Sequence, residues 1–571
     1  MLATFLCAAP LLAAPAQAST GVLEREALRE VLRSRPHSSR SRVIPLPLPG
    51  TPVASASSSS GELAQIARSD GPANLLIGLR AHSDAGAVAA ELRGLGAEPE
   101  QLGLIGVLAA RVPSGGGAVA ALRDDPRVAY IERDPTLRVA ADEFDRPDPA
   151  TATSPSGPIK FTWAYDAVRA GEAIAAVGGG SSRTVSVLDT GVDVNHPDLA
   201  GKVARAFDTS SGSSDVTDFV GHGTFVTGLI AAVDGNGVGG KGVAGRTRVM
   251  AIRGSTTASF ALSDLIRGID YSIRRGASVI NMSLAGQGFT QTHARALEVA
   301  FLNDVLPIAA SGNNGENGNP LEFPAAAVGG RLGRRGIGLS VAATRPDGRV
   351  APFSNHNQFV SLAAPGASPS DCRFGVFSTL PPSTSPAWSE GGCPEVFTGA
   401  LGGHYAYGEG TSFAAPIVSG LAALAWQAQP RLASEQVADV LIRAATGTGW
   451  NEFTGAGIAD GMRAVEVARV YDVLSPRPRG SARRRGNRLR VRVARSRDRT
   501  LPGDELAGHV TYRLLVSRDG GTNFRVATTR RRRPFTRTVR IRGRRANVIV
   551  SAACDGNGNC GIKRLGRFRR R

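Results

Sequence analysis

Residues 408–420 read GEGTSFAAPIVSG and place Thr411 and Ser412 immediately ahead of an apolar run. A hydroxyl in front of apolar residues is typical of a helix start, because its oxygen accepts from a backbone N–H that has no partner inside the helix. Ser412 could instead be a nucleophile, since its small neighbours leave room for a substrate. The segment alone is compatible with both interpretations, so the choice depends on the rest of the chain.

Two other segments supply the groups that activate a serine. In VSVLDTGVD (185–193), Asp189 directly follows an apolar strand, and in DFVGHGTFVTGLIAA (218–232), His222 stands between two glycines at a helix start. A serine hydroxyl attacks only when a base removes its proton, and the base needs a partner that fixes its tautomer. We therefore predict that Asp189 orients His222 and that His222 is the base for Ser412.

A fourth segment, LPIAASGNNG (306–315), offers a donor for the negative charge of an acyl-transfer intermediate. Asn313 lies in its Gly-rich loop after an apolar strand, and a side-chain amide is a suitable oxyanion donor. The backbone N–H of Ser412, at the positive end of a helix dipole, is the predicted second donor.

From Arg183 to about 470, the segments around these residues predict an α/β domain. Short β-branched runs such as TVSVLD and SVINMSL alternate with helical stretches such as LSDLIRGIDYSIRR. This order is typical of a parallel sheet covered by helices, with functional sites in the loops at the carboxyl ends of the strands.

The segments DTGVDVNHPDL (189–199), GHGTFVTGLIAA (221–232) and GTSFAAPIVSG (410–420) resemble the catalytic blocks of the subtilisin-like serine proteases, or subtilases. The resemblance extends from near Phe161 or Arg183 to Val470. It implies a subtilisin-like fold and a serine endopeptidase that acts through an acyl-enzyme on Ser412. It implies no cofactor in the chemistry itself.

The segment SVINMSLAG (278–286) resembles the strand that pairs with an extended peptide in this family. The resemblance implies two walls for the specificity pocket: Ser283, Leu284 and Ala285 on one side, and Ala310, Ser311 and Gly312 on the other. The family more often has Gly where Ala285 stands, so its methyl group would narrow the entrance. Neither wall carries a charged residue, which favours a neutral or apolar side chain just before the cut.

Residues 73–139 alternate strand-like and helix-like patterns and predict a small α+β unit. This unit, most clearly in VAYIERD (128–134), resembles the ferredoxin-like propeptide of subtilases. The resemblance implies an intramolecular inhibitor that the enzyme removes itself, with the cut between Leu137 and Lys160. A Ser/Pro/Arg-rich linker (19–72) precedes the unit, and an acidic, Pro-rich linker (140–160) follows it.

Residues 1–18 are apolar and end in Ala16-Gln17-Ala18, the pattern of a signal peptide and its cleavage site. They lack the usual Lys or Arg near Met1, and the alternative is a disordered Ala-rich tail. A signal peptide predicts a secreted, extracellular protein. The later sequence contains no apolar run of about 18 residues, so we predict no transmembrane helix.

Loss of Cys7 with the signal peptide would leave four cysteines, which allow three pairings. Short loops favour Cys372–Cys393 and Cys554–Cys560, and export is compatible with both disulfides. No Cys/His spacing matches a zinc site.

The loop DGNGVGGKG (234–242) nearly matches a phosphate-binding loop, but Gly242 stands where a Ser or Thr would hold magnesium. We therefore predict no nucleotide site. In subtilases this loop can hold calcium, and the resemblance implies Asp198 and Asn236 as ligands of a structural calcium ion. His196 belongs to the same block and is interpreted as structural.

The net positive charge of the chain comes entirely from its C-terminal segment. The formal net charge is +19, yet residues 476–571 contain 29 Lys and Arg against 5 Asp and Glu, leaving 38 against 43 elsewhere. Strand-like runs separated by Gly and Arg predict a small β domain, a sandwich, over 471–571. Two interpretations of this basic segment remain open: it contacts a polyanion or an anionic cell surface, or it is an ordinary solvated surface. Its few aromatic residues argue against specific nucleic-acid binding.

Two alternative functions remain at this point. One is a binding or scaffold protein that keeps the fold without turnover, and the other is an esterase that uses the same triad. The complete Asp189, His222, Ser412 and Asn313 set argues against the first alternative. The inhibitor-like unit at 73–139 favours peptide substrates over the second.

Overall fold

The computed structural model describes residues 66, 68, 71–80, 84–139, 162–178, 183–234, 236, 239–333, 336–368, 375–382, 397–398, 403–471, 477–497, 510–518, 524–531, 533–542, 547–555 and 560–569. These residues form two compact units that separate after Tyr471. The predicted signal peptide, most of the linker 19–72, the linker 140–160, Cys372 and Cys393 lie outside the described residues.

An antiparallel sheet and two helices form the N-terminal part of the first unit. Its elements are β1 (Ala73–Leu79), α1 (Ala85–Gly94), β2 (Glu98–Leu102), β3 (Val107–Val112), α2 (Gly115–Leu122) and β4 (Val128–Arg133). Both helices begin with a side-chain cap, from Asp84 and Ser114 respectively. The strand order β2-β3-β1-β4 is the ferredoxin-like arrangement that the sequence predicts for the propeptide unit.

A seven-stranded parallel sheet is the centre of the peptidase part. Its strands are β6 (Thr184–Asp189), β7 (Val203–Asp208), β8 (Arg248–Arg253), β10 (Val279–Met282), β12 (Leu306–Ala310), β13 (Leu339–Thr344) and β14 (Leu362–Pro365). Their order is β14-β13-β12-β10-β6-β8-β7, and every pairing is parallel. Strand order reverses between β6 and β10. In open α/β sheets, the carboxyl end of such a switch point is where ligands bind.

Helices cover both faces of the sheet. They are α3 (Trp163–Ala167), α4 (Ala170–Val177), α5 (His222–Ala231), α6 (Leu262–Arg274), α7 (Gln291–Leu302), α8 (Ala325–Val328), α9 (Thr411–Ala428), α10 (Ser434–Ala444) and α11 (Gly461–Val470), with 3₁₀ turns at Pro197–Leu199 and Arg331–Gly333. Helix α9 packs against β10, β12, β13 and β14 and is buried from Thr411 to Trp426. This burial suits its nearly uninterrupted small and apolar sequence.

Short strands complete this unit. They are β5 (Thr136–Val139), β9 (Ser259–Ala261), β11 (Leu284–Ala285), β15 (Val376–Leu380), β16 (Phe397–Thr398) and β17 (His404–Gly408). Strand β5 lies between β11 and β9 in an antiparallel three-stranded sheet. One hydrophobic core joins the ferredoxin-like unit to helices α6 and α7 of the peptidase part, so the two pack as one body.

The second unit is a two-sheet β structure, as the sequence predicts. Its strands are β18 (Arg477–Arg485), β19 (Arg488–Arg497), β20 (Thr511–Ser517), β21 (Arg525–Arg531), β22 (Phe535–Arg540), β23 (Asn547–Cys554) and β24 (Cys560–Phe568). Sheets β18-β19-β22 and β21-β20-β23-β24 share a core that includes Leu489, Leu514 and Ile549. A disulfide joins Cys554 to Cys560, one of the two pairings that loop length favours.

Among the described residues, no helix has the length and apolar character needed to cross a bilayer.

Candidate active site

Asp189 and His222 meet at the carboxyl end of the parallel sheet. Asp189 is the last residue of β6, and His222 is the first residue of α5. The His222 Nδ1 lies 2.7 Å from the Asp189 Oδ1, and both side chains are only 1% exposed. Their hydrogen bond fixes the imidazole with Nε2 available to take a proton.

The approach of α5 to β6 depends on a glycine. A Cβ added to Gly223 would lie 2.1 Å from the carbonyl oxygen of Gly191, which is far inside van der Waals contact. The Gly223 N–H instead donates to the Thr190 hydroxyl at 2.9 Å. Glycine at this position therefore allows the two catalytic segments to touch, as the flanking glycines in the sequence predict.

Asp218, which the sequence did not indicate as a site residue, stabilises the same loop. Its buried carboxylate accepts from the Thr190 hydroxyl, from the backbone N–H groups of Val220, Gly221 and Thr224, and from the Thr224 hydroxyl. It thereby ties the residue after Asp189 to the first turn of α5. The only sequence signal was an acidic residue four positions before His222.

Ser412 lies in the first turn of α9, so the helix-start interpretation and the nucleophile interpretation are compatible. Pro416 lacks the N–H that would bond the Ser412 carbonyl inside the helix, and that carbonyl accepts from the Ser283 hydroxyl at 2.7 Å instead. The Asn281 amide in turn donates to the Ser283 hydroxyl at 2.9 Å. These bonds anchor the backbone of Ser412, the predicted nucleophile, to the end of β10.

The Ser412 hydroxyl donates to the Ser283 carbonyl at 3.0 Å, not to His222. Within the described part of the chain, the His222 Nε2 makes no hydrogen bond. The Phe413 ring lies 5.6 Å from the imidazole, so the start of α9 is next to the base. Hydrogen bonds between a catalytic hydroxyl and its base commonly form or tighten only when substrate binds, so this geometry is compatible with His222 as the predicted base for Ser412.

Asn313 is oriented by the residue before the nucleophile. Its Oδ1 accepts from the Thr411 N–H at 2.9 Å and from the Thr411 hydroxyl at 2.7 Å. Because the Asn313 Oδ1 faces Thr411, the Nδ2 of the same amide points away from Thr411. Thr411 therefore fixes the orientation of the Asn313 side chain, a contact that the sequence did not reveal.

A buried acid network braces the loop that holds Asn313. The Glu322 carboxylate accepts from the side-chain amides of Asn314 at 3.1 Å and Asn355 at 2.8 Å. Gly312 has a φ of 107°, and a Cβ there would lie 1.8 Å from the Glu322 Oε2. Burial raises the pKa of Glu322, and the two amides partly oppose that rise.

The residues predicted to line the specificity pocket lie in and after two strands, β11 and β12. Leu284 and Ala285 form β11, and Gly286 continues it by pairing with Phe323. Ala310 ends β12, and the Ser311 hydroxyl donates to the Asn355 carbonyl. All six predicted residues lie at the carboxyl end of the sheet, and Ser283, Leu284, Ala285, Ala310 and Ser311 are buried.

Strand β5 of the ferredoxin-like part occupies the groove between β11 and β9. Val139 lies opposite Leu284, and Arg138 lies opposite Ala285. The Leu137 side chain is buried in the shared hydrophobic core. This is the position that the resemblance assigns to an extended peptide.

Two carboxylates next to β5 cap helices of the peptidase part. Glu132 accepts from the N–H groups of Gln291 and Thr292 at the start of α7, and Asp134 accepts from the N–H of Ser263 at the start of α6. Burial raises the pKa of both carboxyls, although these hydrogen bonds act in the opposite direction. Negative charge at a helix N-terminus is favourable, so the caps help to hold the two parts together.

The predicted calcium residues lie close together, away from the triad. Asp198 is fully buried; its Oδ1 accepts from the Asn236 amide, and its Oδ2 makes no hydrogen bond among the described residues. No group of three or more His, Cys, Asp or Glu residues suited to a metal occurs in the described ranges. A cation here would therefore need backbone or amide oxygens as further ligands.

His196 bonds to the backbone next to this site. Its Nδ1 accepts from the Asp198 N–H, and its Nε2 lies 2.9 Å from the His404 carbonyl oxygen. It takes no part in the triad.

The chain is similar in sequence to the subtilase family and to several of its members. A profile of the subtilase family matches residues 180–457. A thermophilic serine proteinase of Bacillus sp. (strain AK1) is 34% identical over 280 residues, which is 49% of this chain and 59% of the relative. Subtilisin DY of Bacillus licheniformis is 32% identical over 282 residues, covering 49% of this chain and 89% of the relative.

A solved structure extends the comparison to the fold. Fervidolysin from Fervidobacterium pennivorans, described as a keratinolytic enzyme related to subtilisin, matches with a TM-score of 0.57 at 18% identity. The match covers 88% of this chain and 92% of that structure. At this identity the similarity concerns the fold alone, which is the subtilisin-like arrangement predicted from the sequence.

An Asn313→Ala variant is expected to lose about 10²- to 10³-fold in kcat with little change in KM, since the amide would act only on the oxyanion. That magnitude was established in a subtilisin, a relative of this chain. Steady-state kinetics on a chromogenic peptide would measure it. Asn317→Ala, a substitution of an exposed residue in the same loop, serves as control, and equal losses in the two variants would contradict the assigned role.

Proposed function

The chain belongs to the subtilase family of serine endopeptidases, and on that premise we propose that it hydrolyses peptide bonds through an acyl-enzyme on Ser412. The observation that carries this proposal is the buried His222–Asp189 contact of 2.7 Å beside the start of α9. It lies at the carboxyl edge of a parallel sheet, near the point where strand order reverses.

The proposed reaction begins with a peptide extended along β11. His222 Nε2 takes the Ser412 proton as Oγ attacks the scissile carbonyl carbon, and the carbonyl oxygen becomes negatively charged. The Asn313 amide and the Ser412 N–H donate to that oxygen. His222 then gives its proton to the leaving amine, and a water molecule repeats the sequence to release the acid.

The two alternative functions differ from this proposal in what they predict for Ser412. An organophosphonate fluoride should form one covalent adduct on Ser412 of the mature protein, whereas a silent scaffold would form none. An esterase would label but would turn over esters while leaving peptides intact. Mass spectrometry of the adduct and a peptide-versus-ester rate comparison decide among the three.

We further propose that residues 73–139 are a self-removed inhibitor. The pairing of β5 with β11 and β9 supports this, because it would exclude a substrate from the same groove. The caps from Glu132 and Asp134 add contacts that a short peptide substrate lacks.

The register of β5 predicts the position of the self-cleavage. Leu284 lies opposite Val139, and Ser283 carries the carbonyl to which the Ser412 hydroxyl donates. A strand continuing in this register would bring Ala140 opposite Ser283. We therefore expect cleavage after Ala140, within the predicted window of 137–160, and a mature N-terminus at Ala141. Intact-mass analysis of the mature protein checks this, and any first residue outside Ala140–Asp142 would contradict the register argument.

A Glu132→Ala variant should be inhibited more weakly by its own propeptide. Loss of a charged helix cap costs about 1–2 kcal/mol, which is about a 10-fold weaker complex. Activity after dilution of the freshly processed complex measures the dissociation. Glu98→Ala, which removes an exposed carboxylate from the same unit, provides the control. Identical dilution curves for the two variants would exclude a contribution from the cap.

We propose secretion on the basis of residues 1–18, which resemble a signal peptide. Expression of the full chain and a chain starting at Ser19, followed by fractionation of cells and medium, tests this. Secretion of both forms to the same extent would contradict it.

We propose a structural calcium ion next to Asp198, supported by its buried carboxylate, whose Oδ2 accepts no hydrogen bond from the residues that the structure describes, and by the adjacent Asn236. Residues Asp198 and Asn236 would supply oxygen ligands, and the ion would neutralise a buried charge. Removal of calcium with a chelator should lower the unfolding midpoint, since a bound ion stabilises the native state by mass action. In an Asp198→Asn variant the chelator should have little effect, and an unchanged midpoint in the parent protein would exclude the site.

A further inference from the structure

The sheet β18-β19-β22 of the C-terminal unit has two chemically different faces. Along β19, Leu489, Val491 and Val493 point into the shared core of the sandwich. Alternate residues of a strand point to opposite faces, so Arg488, Arg490 and Arg492 point outwards. The register extends this division to both neighbouring strands.

The outward face consists mainly of arginine, and we call its arginines the arginine face. They are Arg479, Arg483, Arg485, Arg488, Arg490, Arg492 and Arg540, and all seven are exposed. The other outward positions hold Ser481, Ala494, Thr536 and Thr538. The three strands contain no Asp or Glu, so the face carries one sign of charge only.

Like charges stand directly opposite one another across this face. Arg483 pairs with Arg490, and Arg488 lies between Arg485 and Arg540. Within the described ranges none of the seven arginines forms an ion pair with a carboxylate. Directly opposed like charges destabilise a sheet, so an arrangement of this kind gains stability when an anion binds.

We propose that the arginine face binds a flexible, linear polyanion whose charges are phosphate or sulfate groups on a chain without bases. Outward residues along a strand repeat about every 6.8 Å, and neighbouring strands are about 4.8 Å apart. The arginine face is therefore a regular array of guanidinium groups. Each guanidinium can bind a tetrahedral oxyanion through two N–H donors. A single polymer chain fits along such an array.

The composition of the face disfavours two other anionic partners. Single-stranded nucleic acids are usually held by aromatic rings on which bases stack, and the outward positions contain no aromatic residue. Proteins that lie on membranes combine basic residues with apolar groups that enter the lipid, and Ala494 is the largest apolar side chain among these positions. The composition of the face therefore favours recognition of the polyanion's charged groups alone.

The test uses the full chain carrying Ser412→Ala, so that self-cleavage cannot interfere and binding is measured without any need for protease activity. The probes are a base-free phosphodiester oligomer, the base-bearing DNA of equal length, heparin as the sulfated arm, and vesicles of phosphatidylcholine and phosphatidylglycerol. The face variant combines Arg483→Gln, Arg488→Gln, Arg490→Gln and Arg492→Gln. The control combines Arg525→Gln, Arg530→Gln, Arg564→Gln and Arg567→Gln, four exposed arginines of the other sheet with the same total charge.

We expect the base-free oligomer to bind as tightly as the DNA, within about threefold. Each phosphate contact on a single strand contributes about −0.7 to the slope of log K against log salt, so about five contacts give a slope of −3 to −4. That slope corresponds to about a 100-fold weakening between 50 and 200 mM salt. The face variant should bind at least 10-fold more weakly with a flattened slope, and the control should match the parent. Heparin in place of the phosphate oligomer shows whether sulfate or phosphate is preferred.

Three results would overturn the proposal. Equal weakening in the face variant and the control would show that net charge alone attracts the polymer. Much tighter binding of base-bearing DNA would indicate a nucleic-acid site, and binding to vesicles without binding to either polymer would indicate a membrane site. If the fourfold variant does not fold, Arg490→Gln alone should reduce the slope by about 0.7, and an unchanged slope would equally contradict the proposal.

Discussion

A Ser412→Ala variant is expected to lose about 10⁶-fold in kcat on a peptide substrate, the loss found when the triad serine of a subtilisin is removed. No other hydroxyl in the described ranges combines a helix start, a neighbouring imidazole and an oxyanion donor. The hydroxyl also gives up its hydrogen bond to the Ser283 carbonyl, which costs only about 1 kcal/mol of stability. Progress curves at high enzyme concentration would measure the residual rate, and an unchanged unfolding midpoint would show that the fold is intact.

The same variant tests self-processing. Purified alone, it should keep residues 73–139 attached, because the bond after Ala140 would have no nucleophile. With a trace of active enzyme it should be cut, since its linker remains a substrate. Normal maturation of the pure variant would show that another protease removes the propeptide, while leaving the role of Ser412 in peptide hydrolysis untouched.

The candidate catalytic residues could be proposed from the sequence because each lies where a short local pattern fixes its place; their catalytic roles stay predictions. Asp189 ends an apolar strand, and His222 and Ser412 each begin a helix within Gly-rich surroundings. The carboxyl ends of parallel strands share one edge, so an α/β pattern is enough to bring such residues together. Similarly, the pattern of apolar runs in 73–139 predicted a small α+β unit with three strands, and the family resemblance implied its ferredoxin-like order; the polar strand β2 (Glu98–Leu102) was not predicted.

What escaped prediction depends on pairing between distant segments. Glu132 and Asp134 look like ordinary polar residues around a strand, and only the packing of the two parts shows that they cap α6 and α7. Glu322 lies in a loop of no recognisable motif, yet it braces the loop of Asn313 through two amides. Such contacts join residues whose sequence separation carries no local signal.

In the C-terminal segment, too, the pairing of strands decides a feature that the sequence alone did not predict. Its sequence revealed an excess of arginine but not its distribution. The register of β18, β19 and β22 decides which arginines share a face, because a shift by one residue would move each of them to the opposite side. The observed register opposes Arg483 to Arg490, and a composition cannot contain that information.

An Asp189→Asn variant is expected to lose about 10⁴-fold in kcat with a nearly unchanged KM, the magnitude found for the equivalent change in another Ser-His-Asp protease. The Asp189 Oδ1 accepts from both His222 Nδ1 and the Thr190 N–H, at 2.7 and 2.8 Å. An amide oxygen in that place keeps both bonds but cannot offset the positive charge that His222 acquires during the reaction. Its NH₂ group would then occupy the buried position of Oδ2, where the described residues provide no hydrogen-bond partner.

In the Asp189→Asn variant, the opposite orientation of the side-chain amide would lower kcat as well. It would direct the NH₂ group at His222 Nδ1 and drive the imidazole proton to Nε2, so that the base could no longer accept the Ser412 proton. Asp193→Asn is the matched control, because Asp193 lies four residues further on, in the same segment, and accepts only from the Asn195 N–H among the described contacts. We expect that control to change kcat by less than about threefold. A larger loss in Asp193→Asn than in Asp189→Asn would assign the orienting carboxylate to Asp193 and refute the triad as drawn.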